Sequence, residues 1–270
     1  MRRTLLLALL AGCATADAMT VPTGAPKSGL ATAPNNELGL NPGESMAFEV
    51  KLGGIVAGEA QLAVGEIGDL QGKRVIVVTS RAATTGAAEL VRHVVDEAST
   101  AIDVATGKPL TLDANVETGD KKLTSHAAFV GTRVEVNFTK SDDPVPHGYK
   151  IELGKTPIFE AHSAMAQLRG WRPTPGTTKQ VFIIGGRRVW RVDVVLVGYE
   201  TVGSVLGNRR AVHFKGSSFR ARGNLTLESS TPGRTFEVWL SDDADRVPLK
   251  LSATTELGDI TMELTDYSRP

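Results

Sequence analysis

Histidine, cysteine and serine are the residues of this 270-residue chain that could perform nucleophilic or metal-assisted chemistry. No two histidines have the H-x-x-x-H spacing of a helical zinc motif; they are His93, His126, His147, His162 and His213. A G-x-S-x-G nucleophile motif is missing, since Gly43-Glu44-Ser45-Met46-Ala47 ends in alanine. His162 beside Glu160 is the best start of a catalytic pair. We therefore expect no enzyme activity, no metal site and no cofactor.

Cys13, the single cysteine, follows a short leucine-rich segment that favours covalent attachment of a lipid. Arg2 and Arg3 precede a short leucine-rich segment, and Leu10-Ala11-Gly12-Cys13 follows. This segment is similar to the bacterial lipobox. The resemblance implies a signal peptide over residues 1–12 and a mature chain that begins at a lipidated Cys13. An ordinary secretory signal cut near Ala16 or Ala18 is the alternative.

The residue after the cysteine bears on the membrane that receives the protein. Ala14 stands where an inner-membrane retention signal usually has aspartate. By analogy with lipoprotein sorting, we expect a lipid anchor in the outer membrane with the protein facing the periplasm. Residues 13–43 are rich in Ala, Thr, Pro and Gly, so we predict a lipidated N-terminus with a flexible linker spanning about 30 Å.

The composition of the remaining chain, residues 44–270, fits a single β domain. The whole chain has 30 basic and 30 acidic side chains, so its charge gives no reason to expect a nucleic-acid partner. Hydrophobic residues make up 41 %, enough for a core, but aromatics only 5 %. Aliphatic side chains must therefore fill that core.

Apolar residues at every second position predict strands from Met46 onward. The run Met46–Leu52 is followed by Gly53-Gly54, a pair that suits a tight hairpin turn. The apolar phase then changes at Gly58, which predicts a β-bulge and a bent hairpin. Further strands follow, with a helical turn running into a strand over Ala87–Val95, a loop over Ser141–Gly148 and a strand over Asn224–Leu227.

One segment has the pattern of a helix rather than a strand. Thr156 suits an N-cap, Pro157 the first helical position and Gly170 the C-terminal end. Ile158, Ala161, Met165 and Leu168 would share one face. The sequence thus predicts a helix over residues 157–169, lying across one face or mouth of the sheet.

Three segments together resemble the DUF3108 family of bacterial envelope proteins. They are GESMAFEVKLGGIVAGEAQLAV, TPIFEAHSAMAQLRGWRPTPG and VWLSDDADRVPLKLSATTELGDITMEL, and the resemblance covers nearly all of residues 44–267. It implies a mainly-β fold, a strongly curved antiparallel sheet or open, half-barrel-like β-barrel with one helix packed on it. The family's function is unknown, so the resemblance implies fold and compartment but no chemistry.

Two groups of residues are candidates for ligand binding. Trp171, Trp190 and Met165 could line a cleft for an acyl chain, although ordinary core packing is the simpler explanation. Arg188 and Arg191 belong to a basic run that could bind anionic lipid or glycan, or form a solvated face offset by acidic residues. The run consists of Arg187, Arg188, Arg191, Arg209, Arg210, Lys215, Arg220 and Arg222. We expect a carrier of a hydrophobic or amphipathic ligand, or alternatively a structural adaptor that binds another envelope protein.

Overall fold

The computed structural model describes residues 38–185, 188–228, 233–255 and 258–270. The predicted signal peptide, Cys13 and the linker up to residue 37 lie outside the described residues. The described chain forms fifteen strands and two helices: β1 (Ser45–Leu52), β2 (Ile55–Leu70), β3 (Lys73–Thr84), α1 (Gly86–Val91), β4 (Val94–Asp103), β5 (Pro109–Thr118), β6 (Lys121–Val130), β7 (Arg133–Lys140), β8 (Asp143–Glu152), β9 (Ile158–Phe159), α2 (Ala161–Gly170), β10 (Thr178–Gly185), β11 (Arg188–Ser204), β12 (Gly207–Ala221), β13 (Arg234–Ser241), β14 (Pro248–Thr255) and β15 (Gly258–Ser268).

All fifteen strands belong to one sheet, in the order β8-β7-β6-β5-β4-β3-β2-β1-β15-β14-β13-β12-β11-β10-β9. Neighbouring strands are antiparallel except β9 and β10, which are parallel. The first and last strands pair in the middle of the order, and β8 and β9 are its two edges. The predicted mainly-β, open and curved sheet is confirmed.

The first hairpin forms as its glycines predict. Gly53 and Gly54 have φ of 57° and 85°, values that favour glycine, and they join β1 to β2. Val50 lies opposite Gly58 while Lys51 lies opposite Val56, so the register shifts where the apolar phase changes. We call the end of the sheet at this turn the rim, and the opposite end, where β1 begins, the base.

The predicted helix is shorter than its capping pattern indicates. Thr156 and Pro157 do not begin it, because Ile158 and Phe159 instead form β9, a parallel strand beside β10. Glu160 is the N-cap, and its carboxylate accepts hydrogen bonds from the N–H groups of His162 and Ser163 at 2.7 and 2.5 Å. This cap starts α2 at Ala161, and α2 ends at Gly170 as predicted.

Two other local predictions are wrong and one is confirmed. Residues 143–152 form edge strand β8 rather than a loop; an edge position tolerates Pro144 and Pro146 because their missing N–H groups need no partner strand. The predicted strand 224–227 is a turn with one isolated bridge to Ala221. The helical turn α1 running into β4 is confirmed.

The sheet curls so far that one end of it is buried on both faces. Ile183 and Trp190 pair across β10 and β11 and face the concave side. Their neighbours Ile184 and Val189 face the opposite side, where they share a core with the concave face of β4–β8, including Val136. The arm β4–β8 therefore covers the back of the strands at the other end of the sheet.

Helix α2 lies inside this curl and touches both of its walls. Ala166 is fully buried against β2–β4 in a cluster that includes Leu40 and Ile102. Met165 and Leu168 pack on the concave side of β10–β13. Leu40 and Asn41 are also buried, so the predicted flexible linker, which ended at Gly43, extends too far into the folded part.

A buried ion pair fixes the C-terminal turn of α2 to the base. Arg169 donates to both carboxylate oxygens of Glu44 at 2.5 and 2.9 Å, and both side chains are essentially inaccessible. Asn41 adds two donors to the same carboxylate, at 3.1 Å each. Arg169 also donates to the carbonyl oxygens of Arg246 and Asp245. Both buried charges are thus well compensated by hydrogen bonds.

We expect Arg169→Met to lower the free energy of unfolding by about 3–5 kcal/mol, because it leaves the Glu44 carboxylate buried and uncompensated. Urea unfolding followed by circular dichroism measures this loss. Arg133→Met is the matched control: Arg133 pairs with Glu135 at a half-exposed site, so its loss costs about 0–1 kcal/mol. Equal effects of the two substitutions would contradict a structural role for the buried pair.

Candidate ligand-binding groove

An apolar groove of about 160 Å³ lies between α2 and the concave face of β10–β15. The helix contributes Met165 and Leu168, and the sheet contributes a continuous apolar wall that includes Ile183, Trp190, Val192, Val194, Phe236, Val238, Leu251, Ala253, Ile260 and Met262. Alternation along each strand explains this wall, since every second residue faces the concave side. The groove is suited to a hydrocarbon group.

The groove extends from α2 towards the rim. Its lining residues Trp190 and Val192 are buried, while Arg234, Thr255 and Ile260 near the rim are partly exposed. Helix α2 occupies the base, where Arg169 holds it to Glu44. The arrangement resembles a cup that is filled at its base and accessible towards its rim.

Two of the three residues predicted to contact an apolar ligand lie in this groove. Trp190 and Met165 line it from the sheet and from α2. Trp171 packs on the same cluster but stacks on Phe214, with ring centroids 5.7 Å apart, and Lys179 lies 5.5 Å from its ring centre. Trp171 therefore supports the groove wall from outside the groove lining. A ligand-binding role for the three side chains stays a prediction.

The structure does not place Arg188 or Arg191 in the groove lining. Arg191 is on the opposite face of β11 from Trp190, where it binds Asp193 at 2.8 Å and lies over the Phe219 ring. Arg188 opens β11 opposite Gly185. Besides Arg191, three basic residues of the predicted run have acidic neighbours, in the pairs Arg210–Asp242, Lys215–Glu237 and Arg220–Glu228. These ion pairs favour the solvated-face interpretation of the run, and Arg187 lies outside the described residues.

Arg234 is a cation that the structure places in the groove lining, and no sequence pattern pointed to it. Strand pairing sets it opposite Ser218, on the concave side of β13. Its guanidinium lies 5.9 Å from the centre of the Trp190 ring, a cation–π distance. This neighbourhood depends on the pairing of three consecutive strands, β11, β12 and β13. The groove thus combines an apolar wall with one positive group near the rim.

His162 and Glu160, the predicted start of a catalytic pair, form a buried structural cluster outside the groove lining. The His162 ring nitrogens lie 2.5 Å from Ser80 Oγ and 2.9 Å from Thr100 Oγ1. Glu160 is 3.6 Å away, but its carboxylate caps α2. The cluster ties the start of α2 to β3 and β4 and is not arranged around an accessible substrate site.

Asp96 is a buried carboxyl group that sequence reasoning missed. It is 2 % exposed on the concave side of β4, and its Oδ1 has no hydrogen-bond partner among the described residues. Burial, and then the neighbouring Glu97 carboxylate, raise the pKa of Asp96 well above its usual value. Strand pairing places it between Ala82 of β3 and Val116 of β5, and the sequence alone does not show this pairing.

Across residues 38–185, 188–228, 233–255 and 258–270, no group of three or more His, Cys, Asp or Glu side chains is placed to hold a metal ion. In the same ranges, no helix is both long and apolar enough to cross a membrane.

The acidic turn around Asp243 is explained by local hydrogen bonds, because Asp243 Oδ1 accepts from Ser241 Oγ and from the N–H groups of Asp245 and Arg246.

The fold and the groove define a strongly curved, open, β-barrel-like protein with a helix inside it. The chain belongs to the DUF3108 family, whose description is a protein of unknown function, and matches it over residues 47–265. No curated protein sequence matches the chain. The family membership predicted from the three sequence segments is thereby confirmed.

Several solved structures are similar in shape at very low identity. A β-barrel-like protein with a domain of unknown function, DUF1849, from Brucella abortus has a TM-score of 0.57 at 10 % identity, covering 85 % of this chain and 98 % of that one. A protein with a YmcC-like fold from Bacteroides fragilis has a TM-score of 0.39 at 7 % identity, covering 85 % of this chain and 97 % of that one. The protein YmcC of Escherichia coli K12 has a TM-score of 0.32 at 9 % identity, covering 87 % and 88 %. The first of these similarities shows a shared fold.

The buried imidazole makes stability depend on pH in a defined direction. Burial lowers the pKa of His162 below 6.5, while the nearby Glu160 carboxylate opposes the shift. At pH values between the folded and unfolded pKa of His162, the unfolded chain binds more protons than the folded one. The free energy of unfolding therefore has its full value, as far as His162 is concerned, above pH 6.5 and declines as the pH falls. Asp96 acts in the opposite sense, because its raised pKa makes the folded state less stable as pH rises above 3.8.

The free energy of unfolding of the wild type should fall between pH 7.5 and pH 5.5, and we expect it to fall less in His162→Gln. The lost hydrogen bonds of the imidazole add a cost that does not depend on pH. Urea midpoints of wild type and variant at the two pH values give this difference, in which the Asp96 contribution cancels. His126→Gln, at a half-exposed histidine beside Asp113, is the control. An unchanged pH dependence in His162→Gln would show that the imidazole is not buried neutral.

Proposed function

We propose that this protein is a non-enzymatic outer-membrane lipoprotein, facing the periplasm, that binds a hydrophobic or amphipathic ligand in the groove between α2 and β10–β15. The single observation that carries the proposal is the apolar groove between α2 and the concave face of the sheet. An apolar surface left accessible inside a folded protein costs stability unless a ligand covers it. The groove is therefore the default binding site of the described chain.

The size and lining of the groove restrict the ligand. A cavity of about 150 Å³ lined by aliphatic side chains is sufficient for one benzene molecule, and this groove is of similar volume. Each buried methylene contributes about 0.8 kcal/mol before the costs of association. We infer that one acyl chain, entering by its end, suits the groove better than a lipid with two chains side by side.

Arg234 adds a preference for an amphipathic ligand. It lies near the rim beside Trp190, so a ligand with its chain against Met165 and Val192 would have its polar end close to the guanidinium. A carboxylate or phosphate there forms charge-assisted hydrogen bonds. This arrangement supports a ligand with a polar end beside Arg234.

The proposed location rests on the N-terminal sequence. The segment Leu10-Ala11-Gly12-Cys13 supports removal of residues 1–12 and lipidation of Cys13, and Ala14 supports sorting to the outer membrane. In this proposal residues 13–37 tether one β domain to the membrane. No function in nucleic-acid binding is proposed, since the chain carries equal numbers of basic and acidic side chains.

The adaptor alternative has less support. Partner binding by strand addition needs a free row of N–H and C=O groups along a sheet edge. Edge strand β8 carries Pro144 and Pro146, which have no N–H, and the other edge strand, β9, has only two residues. Both features are typical of edges that discourage pairing.

Lipid analysis of the purified protein tests the proposal. We expect residues 14–270, exported to the periplasm without Cys13, to carry a stoichiometric acyl-chain compound detectable by native mass spectrometry and by mass spectrometry of a solvent extract. Ala253→Trp fills the groove and should remove it. Ala105→Trp, at an exposed turn, is the matched control and should retain it. Wild-type protein that is free of apolar compounds, and that binds none when fatty acid is added, would contradict the proposed function.

A further inference from the structure

Four aliphatic side chains project into solvent near the rim. Leu90 and Val91 of α1 are 91 % and 89 % exposed, and Ile55 and Val56 at the start of β2 are 75 % and 50 % exposed. Leu90, Val91 and Ile55 are the three most exposed large apolar side chains in the described part of the chain. Helix α1 buries none of its residues, so core packing does not explain its apolar sequence.

The two pairs of side chains belong to neighbouring elements. Thr84, the last residue of β3, lies opposite Gly58 of β2, and the Thr85 N–H donates to the Ala57 carbonyl oxygen at 3.1 Å. Helix α1 begins directly after Thr85 and contacts β2. Ile55 and Val56, whose side chains leave β2 on opposite faces, thus lie at the same end of the sheet as Leu90 and Val91. We call these four exposed side chains the rim surface.

The rim surface lies at the same end of the sheet as the partly exposed part of the groove. Leu52, at the turn of the first hairpin, lies opposite Ile260, which lines the groove. The Gly53 N–H donates to the Asp259 carbonyl oxygen at 2.9 Å, so the first hairpin turn lies next to the start of β15. Thr255 and Arg234 of the groove are on the following strands at the same level.

We propose that the rim surface docks onto a lipid bilayer, so that the groove faces the membrane at the end where it is accessible. Projecting aliphatic side chains on a hairpin turn and a one-and-a-half-turn helix suit insertion between lipid head groups. Specific protein partners usually need about 800 Å² on each side, more than four projecting side chains supply. The only carboxylate on α1, Glu89, lies 3.3 Å from His93, and exposed Arg92 adjoins Val91.

The N-terminal tether fits this orientation. Chain residues 13–37 could extend about 80–90 Å, whereas β1 spans only about 26 Å from base to rim. An anchor at Cys13 therefore allows the base to point away from the membrane while the rim touches it. A single acyl anchor or a small apolar surface binds a membrane weakly, and two such signals together bind it stably.

This proposal goes beyond ligand binding in the groove and fails separately from it. A protein that carries a lipid but does not dock would support the proposed function and overturn the docking proposal. A protein that docks but carries no apolar compound would support docking and contradict the proposed function. The experiment therefore measures docking alone, on protein without Cys13.

Site-specific fluorescence tests the docking. Residues 14–270 contain no cysteine and keep every described residue, so single cysteines at Leu90→Cys, Ile55→Cys and Val205→Cys can each carry an environment-sensitive label. Val205 is the matched control, 55 % exposed but at the base. On vesicles of phosphatidylethanolamine and phosphatidylglycerol, we expect a blue shift and quenching by spin-labelled lipid at positions 90 and 55 and neither at 205.

A double variant measures the contribution of the helix. We expect Leu90→Ser with Val91→Ser to weaken vesicle binding at least about tenfold, because two aliphatic side chains no longer leave water, while Val205→Ser leaves it unchanged. Unfolding curves confirm that each variant is folded. Equal signals at all three positions, or no vesicle binding even at a high lipid concentration where a weak surface still binds, would overturn the proposal. So would a blue shift at position 90 that needs an added envelope protein, since the rim surface would then be a protein interface.

Discussion

The bidentate ion pair between Arg169 and Glu44 is the interaction on which the arrangement depends. It joins the last turn of α2 to the residue before β1, and its charges are compensated by Asn41 and by backbone carbonyl oxygens. Burial and then the nearby Glu44 carboxylate raise the pKa of Tyr267, a neighbour of the pair, to about 12. An isolated buried charge would be costly, so the pair holds α2 in one position.

The placement of α2 explains both the stability of an open sheet and its groove. The edge strands β8 and β9 are not paired with each other, so the sheet is not closed into a barrel. Side chains of α2 therefore have to bury part of its concave face. Ala166 fills it on the side of β2–β4, and Met165 and Leu168 face β10–β13 without reaching the rim. The unfilled remainder is the apolar groove. The ion pair holds α2 at the base, so the apolar groove stays accessible towards the rim.

Local patterns predicted most of the strands, but not the contacts between distant ones. Gly53-Gly54 and the phase change at Gly58 were sufficient to predict the first hairpin and its irregularity, because both act over a few residues. The start of α2 was misplaced because Glu160 is a better cap than the local Thr-Pro signal once β9 pairs with β10. Trp190, chosen from the sequence, lies in the groove lining, and its role in ligand binding stays a prediction. Arg234 and Glu44 acquire their neighbours only through contacts over long sequence separations.

The central claim, that the groove takes up an acyl chain, is tested most directly by fluorescence quenching at Trp190. In the variant Trp171→Phe with Trp239→Phe, Trp190 is the only tryptophan of the chain. Titration with a dibrominated fatty acid should quench its emission in a saturable manner near one equivalent, and the unbrominated acid should compete. Quenching that never saturates, or none while the variant remains folded, would contradict the account.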